Sequence, residues 1–590
     1  MTDNTPQLLA RAAAARADRN LAESDRLYRE ILARDERHHE SWHGLALNGL
    51  ARDRYDIAVA MADKAIAIES AIAAYHNTRG AGFERMGRPE LAAASYRRAL
   101  AITPNDAALH ATLGLLYGQQ GKLAEAVAAF TQSLALAPDD KHVQYNLGFA
   151  NEKLGRYDDA IAAYQRTLAL EPNSAEAWMS LGKVLFAVNR LEESLTASDR
   201  ALALKPGHAD AWNNRGTALF QLDRPAEALE SYDRAMSLSP ANALNHVNRA
   251  NALVRVGRLP EALPMFARAQ ALNPDFAEAH WSESLCRLRM GDMPKGWEKY
   301  EWRWRVRPET ARAFASHLWL GDEMIAGKSI LIHGEQGFGD CIHFCRYVPM
   351  VAERGAKVVL EVPRELTRLM AGLKGVSEIR TQGEPLPETD FHCPLASLPL
   401  AFRTSPDTIP AAVPYLKVPP HVAAHWRDRL ANLSRPRIGL NWVAGARHWG
   451  ELHRSIAPET LAPLRDCGAT LVSLQQNYRR EDSAWLAANP TIHDFGAEIT
   501  DFADTAAIAR EMDLVISVDT AVAHLAGALA LPVWILLSYI GDWRWLTERS
   551  DSPWYPTAKL YRQAGINDWA GVIARVTDDV KRGLPESVKR

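Results

Sequence analysis

Six prolines, Pro104, Pro138, Pro172, Pro206, Pro240 and Pro274, stand 34 residues apart, and each closes a segment such as ALAITP, ALALAP or ALALKP. A period of this length admits few folds, because one unit is too short to bury a core of its own and has to stack on its neighbours. Two further series run in phase with the prolines. Gly87, Gly121, Gly155, Asn189, Asp223, Gly257 and Gly291 mark a turn that favours a left-handed or small polar residue. Ala46, Gly80, Gly114, Gly148, Gly182, Gly216, Ala250 and Ser284 supply a small residue where two helices approach closely. Eight units are thus in register. Ala12 and the turn Asn20-Leu21-Ala22-Glu23 extend the count to a degenerate ninth beginning near Thr5, as expected of a cap with one face in water.

Period, turn residues and closing prolines together resemble the tetratricopeptide repeat over residues 5 to 310. That resemblance implies a superhelix of helix pairs with a concave face that holds another protein. Asn146, Asn214 and Asn248 occupy equivalent slots two residues before the small residue, and Asn251 follows three later. Thr78, Thr112, Ser180 and Ser282 fill the matching slots elsewhere. A primary amide offers a donor and an acceptor to a peptide bond, and similar asparagines grip protein substrates in the repeat array of the O-linked N-acetylglucosamine transferase. Solvation of the concave face is the alternative role. The last repeat helix, MPKGWEKYEWRWRV, carries Trp297, Trp302 and Trp304, too many aromatic rings for a solvated cap. It reads as the helix that docks the array onto the following domain.

The remaining composition narrows the classes. With 590 residues, 47% apolar, and a formal net charge of -3, the chain is large enough for several cores and lacks the basic balance of a nucleic-acid binder. Cys341 and Cys345 lie four apart with His343 between them, but no second pair completes a zinc site, so buried thiols in a reducing compartment are expected and no metal. The N-terminus lacks a secretory pattern. The apolar run from Ala521 to Ile540 is interrupted by His524 and Pro532, which favours a short helix followed by a buried strand over a membrane span. A cytoplasmic location without membrane insertion follows as the expectation.

Beyond residue 316 the period gives way to short apolar runs between helical segments: 329–335, 357–362, 390–395, 437–443, 470–475, 514–520 and 533–537. Such runs indicate parallel sheets covered by helices. The prolines at 410, 414, 419 and 420 divide them into two doubly wound domains, 316–418 and 419–590. The first opens with ILIHGEQGFGDCIHF, in which Gly339, Asp340 and His343 resemble the start of bacterial heptosyltransferases. There the matching aspartate is the candidate base for the acceptor hydroxyl, a role suited to a carboxylate at a strand end; Asp340 equally suits a helix cap. The second contains SVDTAVAHLAGAL, similar to the D-T-x-x-x-H signature of the same family, so that Asp519, Thr520 and His524 are implied to hold donor phosphates at a helix N-terminus. In ARHWGELHRSI the family supplies a cation to the departing phosphate; Arg454 is the first choice and Arg447 the second, with His448 and His453 nearby. Gln475 closes a strand at the cleft mouth, and GDWRW (541–545) and DSPWYP (551–556) flank the donor side.

Together these resemblances imply a superhelix of repeats followed by a GT-B transferase with two facing Rossmann-like domains, the final helix crossing back onto the first. The chain resembles alphaproteobacterial flagellin glycosyltransferases, and that resemblance implies a protein O-glycosyltransferase that moves pseudaminic acid from its CMP-activated form to Ser or Thr of flagellin, with the nucleotide sugar as cosubstrate and no cofactor. An inverting single displacement is expected. No DxD-type motif stands at a strand end, so metal independence is expected. The alternatives are a heptosyltransferase-like enzyme of surface polysaccharide and an inactive repeat adaptor.

Overall fold

The computed structural model describes residues 4–444, 454–476 and 478–584. They divide into two compact units, Met1–Pro240 and Ala241–Arg590. The first contains helix pairs only, from Thr5–Ala17 with Leu21–Arg34 to Ala209–Gln221 with Pro225–Leu238. Every first helix has 13 residues and every second has 14. The turn series is left-handed throughout, with φ between 59° and 83°, and Arg19 and Asp53 carry it back to the start. Bulk opposite the small residues explains that series. A Cβ on Gly80, Gly114, Gly148 or Gly216 would lie 2.5 to 2.8 Å from the ring of Tyr96, Phe130, Tyr164 or Tyr232.

A second device repeats with the same period. Trp42, Trp178 and Trp212 donate their indole N–H, each at 2.9 Å, to the carbonyls of Glu36, Pro172 and Pro206. His76, His110 and His280 do the same through Nε2 to Ser70, Pro104 and Pro274. Each bond ties the start of a first helix to the loop before it. Asn146 and Asn214 are half-buried on first helices of this unit.

The second unit begins with two more pairs, Ala243–Arg255 with Leu259–Leu272 and Ala277–Arg289 with Met293–Tyr300, the first carrying half-buried Asn248 and Asn251. Then come two parallel sheets. The first comprises β1 (His317–Leu318), β2 (Ser329–His333), β3 (Lys357–Val362), β4 (Val376–Thr381) and β5 (Phe391–Pro394), in the order β1-β5-β2-β3-β4. The second comprises β6 (Arg437–Asn441), β7 (Thr470–Ser473), β8 (Ile492–Asp494), β9 (Leu514–Val518), β10 (Val533–Leu537) and β11 (Ala558–Arg562), in the order β11-β10-β9-β6-β7-β8. Counted within that sheet the order is 3-2-1-4-5-6, the doubly wound arrangement whose switch point lies between β6 and β9. The apolar stretch from Ala521 forms a helix, Ala521–Ala528, and strand β10. Among the described residues no helix is long and apolar enough to cross a membrane.

Alternate residues of the second sheet face two cores. Val515, Val533, Ile535 and Leu537 join a large core that also contains Ile330, Ile332, Val358 and Leu360 of the first sheet, while Leu514, Ile516, Val518, Trp534 and Leu536 face the other side. The terminal helix Trp569–Arg582 departs from expectation. As far as it is described it does not cross to the first sheet; its stripe of Trp569, Val572, Ile573, Val576 and Val580 lies against β11 and the segment Pro458–Asp466, in one core with Ile438, Leu440 and Trp534 of the second sheet. A stripe that wide is satisfied by the sheet face beside the strand it follows, leaving nothing apolar to carry it further. The proline-rich stretch is packed as well: the N–H groups of Tyr415 and Leu416 both donate to the carbonyl of Ala528 at 3.1 and 3.3 Å, and Leu416 is buried.

The last repeat pair joins the large core. Trp297 is 1% exposed and lies edge-on to Trp543 with ring centres 5.1 Å apart, in a cluster that includes Tyr300 and Phe344. Trp302 instead stacks on His280 at 3.8 Å, and Trp304 lies against the Arg303 guanidinium.

Candidate functional site

The C-terminal ends of β6, β7 and β9 meet in a chain of side-chain hydrogen bonds. Thr520 donates to the Asn441 carbonyl oxygen at 2.8 Å, Ser517 donates to the same atom at 3.3 Å, and the Asn441 amide donates to Gln475 at 2.8 Å. Gln475 Oε1 also accepts the N–H of Val443 at 3.1 Å. Thr520 is the cap residue of the helix Ala521–Ala528 in extended conformation, yet its hydroxyl turns to Asn441 instead of capping the helix. Thus the switch point holds a rigid polar edge and, beside it, a helix N-terminus without a side-chain cap, where the dipole favours an anion.

Arg454 reaches the same place. Its Nη1 donates to the Asp519 carbonyl at 3.3 Å and lies 3.7 Å from the Asp519 carboxylate. Asp519 is buried; burial pushes its carboxyl pKa up, and Arg454 pulls against that. Arg447, His448 and His453 lie outside the described residues.

From the first sheet, the helix Phe338–Phe344 brings its own N-terminus against this edge. A Cβ on Gly339 would stand 3.1 Å from the His524 ring and 3.5 Å from the Ala521 nitrogen, so the two helices approach closely at this glycine. Asp340, one residue on, accepts the Gly337 N–H at 3.2 Å and forms an ion pair with Arg544. Asp340 is thus not the N-cap expected of it: Gly337 holds that place, and Asp340 stands at the third helical position, one oxygen reaching back to the Gly337 N–H and the other on Arg544 from the segment after β10. Its side chain is 26% exposed. Burial pushes its carboxyl pKa up, opposed chiefly by Arg544.

Arg544 is buried, stacks over Trp543 at 4.2 Å, and donates to Asp542 at 2.8 Å. Burial works against its charge, and Asp542 and Asp340 more than restore it.

His343 and His524 meet behind Asp340, their ring centres 5.2 Å apart. The Nδ1 atoms of both lie on the Tyr555 hydroxyl, at 3.1 and 3.0 Å, and the His524 ring stacks on Trp545. Burial drives both imidazoles far below their usual pKa, with Arg346 and Arg544 adding to the effect. His343 has no exposed surface, so it supports the site from within. Cys341, on the same helix as His343, and Cys345, just past its end, are both buried, and burial raises both thiols; among the described residues no cluster of metal-ligating side chains forms.

Sequence reasoning thus identified Asp340, Thr520, His524, Gln475 and Arg454, which the fold gathers at one place. It missed Arg544, Tyr555 and Asn441. Their only signals were membership of GDWRW, of DSPWYP and of a strand ending in Asn-Trp.

Comparison with known proteins bears on the repeats. Tetratricopeptide repeat families match residues 83–121, 111–175, 150–208, 180–243 and 247–300, so this part of the chain carries tetratricopeptide repeats. Protein FlbA of Caulobacter vibrioides is 27% identical over 312 residues, covering 48% of this chain and 51% of that protein. The chain spans about half the length of this curated relative. Among solved structures, YrrB, a TPR protein with an unusual peptide-binding site, is 27% identical over 30% of this chain and 92% of its own, with a TM-score of 0.29. MamA from Desulfovibrio magneticus is 23% identical over 28% of this chain and 95% of its own, with a TM-score of 0.28.

Proposed function

We propose that the chain is a protein O-glycosyltransferase of GT-B architecture, in which the repeats hold the acceptor and the edge between the two sheets carries out transfer. The observation that supports it most is the meeting of two helix N-termini: one, after Thr520, suited to a phosphate, and the other carrying Asp340. In this reading the donor's phosphates lie at the N-terminus of Ala521–Ala528, with Arg454 beside them. Asp340 takes the proton of a Ser or Thr hydroxyl as the hydroxyl oxygen bonds to the anomeric carbon of the sugar. The bond from that carbon to the phosphate oxygen breaks, and the nucleotide leaves with the electron pair. A carboxylate raised by burial is a better base than one in water, and a fixed cation at the leaving phosphate acts where charge grows.

The acceptor proposed is flagellin and the donor CMP-linked pseudaminic acid, both taken from the family resemblance. The test incubates the purified chain with flagellin and CMP-pseudaminic acid and measures intact protein mass. A gain of one or more sugar masses, lost in Asp340→Asn with folding unchanged, is the expected result. No mass gain with this or other sugar nucleotides, together with no thermal stabilisation by any of them, overturns the reading.

A further inference from the structure

One contact chain leads from the end of the repeats to Asp340. Trp297, in the helix Met293–Tyr300, meets Trp543 edge to face, with rings at 90°. Trp543 carries the Arg544 guanidinium on its ring at 4.2 Å, and Arg544 holds Asp340. A second anchor fixes the same segment from the preceding helix: Arg289 donates to the Gly541 carbonyl at 3.0 Å. Tyr300 adds a third contact, its ring 6.5 Å from Trp543 and its hydroxyl 3.3 Å from Gln336. The short segment Gly541–Trp545 is thus clamped between the last repeat pair and the candidate base.

We propose that Trp297 and Arg289 are positioning residues for the reaction: the last repeat pair fixes segment 541–545, and with it the ion pair between Arg544 and Asp340. The proposal rests on Asp340 being the base. It makes the repeat array part of the transfer machinery as well as the holder of the acceptor, because a shift of the last pair is passed to Asp340 through packed rings and not through a flexible linker. Geometry favours this route. Trp297 and Trp543 are 1% and 2% exposed, so neither ring moves without displacing the other.

The charges facing Asp340 define the readout. They are Arg544 and Asp542 from segment 541–545, Arg454 beside Asp519, Tyr300 from the last repeat helix, Glu335 from the loop after β2, and Cys341 from its own helix. Of these, Arg544 is the nearest cation. An aspartate beside an arginine titrates about 1 to 3 units lower than one without it, so loosening Arg544 moves the acid limb of kcat/KM upward by about one pH unit.

The experiment measures pH profiles of transfer for the wild type, Trp297→Ala, Trp297→Phe and Arg289→Ala. The expected result is a raised acid limb and a lower kcat in Trp297→Ala and Arg289→Ala, with Trp297→Phe close to wild type because a smaller ring retains the edge contact. An unmoved limb, with activity falling only as the folded fraction falls, overturns the proposal. Trp297→Ala risks the core, and Arg289→Ala, at a half-buried position, covers that case. Hydrogen exchange of the amides of residues 541–545 reads the same coupling without donor or acceptor, and in Arg289→Ala it is expected to quicken by about tenfold. Unchanged exchange counts against the positioning alone, whereas normal coupling without sugar transfer in the wild type counts against the proposed function alone.

Discussion

His343 and His524, from helices belonging to different sheets, share the hydroxyl of Tyr555 through their Nδ1 atoms. A hydroxyl has one proton to give, so one imidazole accepts it and the other donates N–H in return. His524 Nε2 lies 3.9 Å from the Asp519 carboxylate, which favours a proton on that nitrogen. The order that follows is His343 N–H to Tyr555 oxygen, Tyr555 O–H to His524 Nδ1, and His524 N–H toward Asp519. The D-T-x-x-x-H signature and the G-D-x-x-H motif are thereby joined into one directed chain.

Tyr555→Phe removes the shared oxygen and strands both Nδ1 atoms in a site closed to water. Each buried polar group left without a partner costs about 1–3 kcal/mol. The variant is expected to lower the thermal midpoint of the unit that contains both sheets, leaving the unfolding of residues 1–240 in place. Calorimetry separates the two transitions, and an unchanged second transition rejects the chain.

His333 ends β2 with 2% exposure, and neither ring nitrogen has a hydrogen-bond partner. Burial, helped by His392, Arg312 and Arg303, lowers its pKa to about 3. The unfolded chain binds this proton from about pH 6.5 downward, while the folded chain refuses it until about pH 3. Stability from the neutral imidazole is therefore full above about pH 6.5 and declines toward about pH 3, at a limiting slope of about 1.4 kcal/mol per pH unit. His333→Leu removes this contribution but not those of His343 and His524. Urea unfolding between pH 7 and 4 should show the wild type losing stability faster than the variant, and parallel curves refute the assignment.

The repeats were legible because their information is periodic: a glycine that faces an aromatic ring, or a residue with positive φ, recurs every 34 positions. The ladder of Trp42, His76, His110, Trp178, Trp212 and His280 has the same period and was still missed. Tryptophan and histidine share an N–H at the right reach but no common hydropathy, so a reading of apolar periods passes over them. Strands β3 and β10 were visible as apolar runs, whereas β8, with three residues, and the mixed VSEIRT of β4 were not. At the site, Asp340 and Thr520 stand in local motifs. Arg544 lies 204 residues from Asp340, and only the packing of Trp543 between them and the repeats brings it there.

Gly148 and Gly118 offer a controlled comparison within one array. A Cβ at Gly148 meets the Tyr164 ring at 2.8 Å, and Tyr164 is fully buried, whereas one at Gly118 meets nothing within 4 Å. Gly118→Ala therefore gains helix propensity, about 0.5–1 kcal/mol. Gly148→Ala loses about 1–3 kcal/mol to overpacking. Circular dichroism melts of residues 1–240 within the full chain should move in opposite directions, and equal shifts would show that the ring yields.

Asn245 is the last and sharpest case, because its slot is apolar in the repeats around it: Leu109, Val143, Ala177, Ala211 and Ala279 stand at equivalent positions, all buried, whereas toward the first repeats the slot passes to Tyr75 and Ser41. Asn245 is 1% exposed, and neither its amide nitrogen nor its oxygen has a hydrogen-bond partner. Desolvating a primary amide without compensation costs about 1–3 kcal/mol on mutational scales. Leucine has nearly the same shape and no group to desolvate, so Asn245→Leu is expected to stabilise the second unit by about 1–2 kcal/mol. Asn245→Ala tests whether volume matters: it removes the same penalty but opens a void, and its gain should be smaller than that of leucine. A leucine variant less stable than wild type would mean that the amide is satisfied in solution, most simply by a bound water.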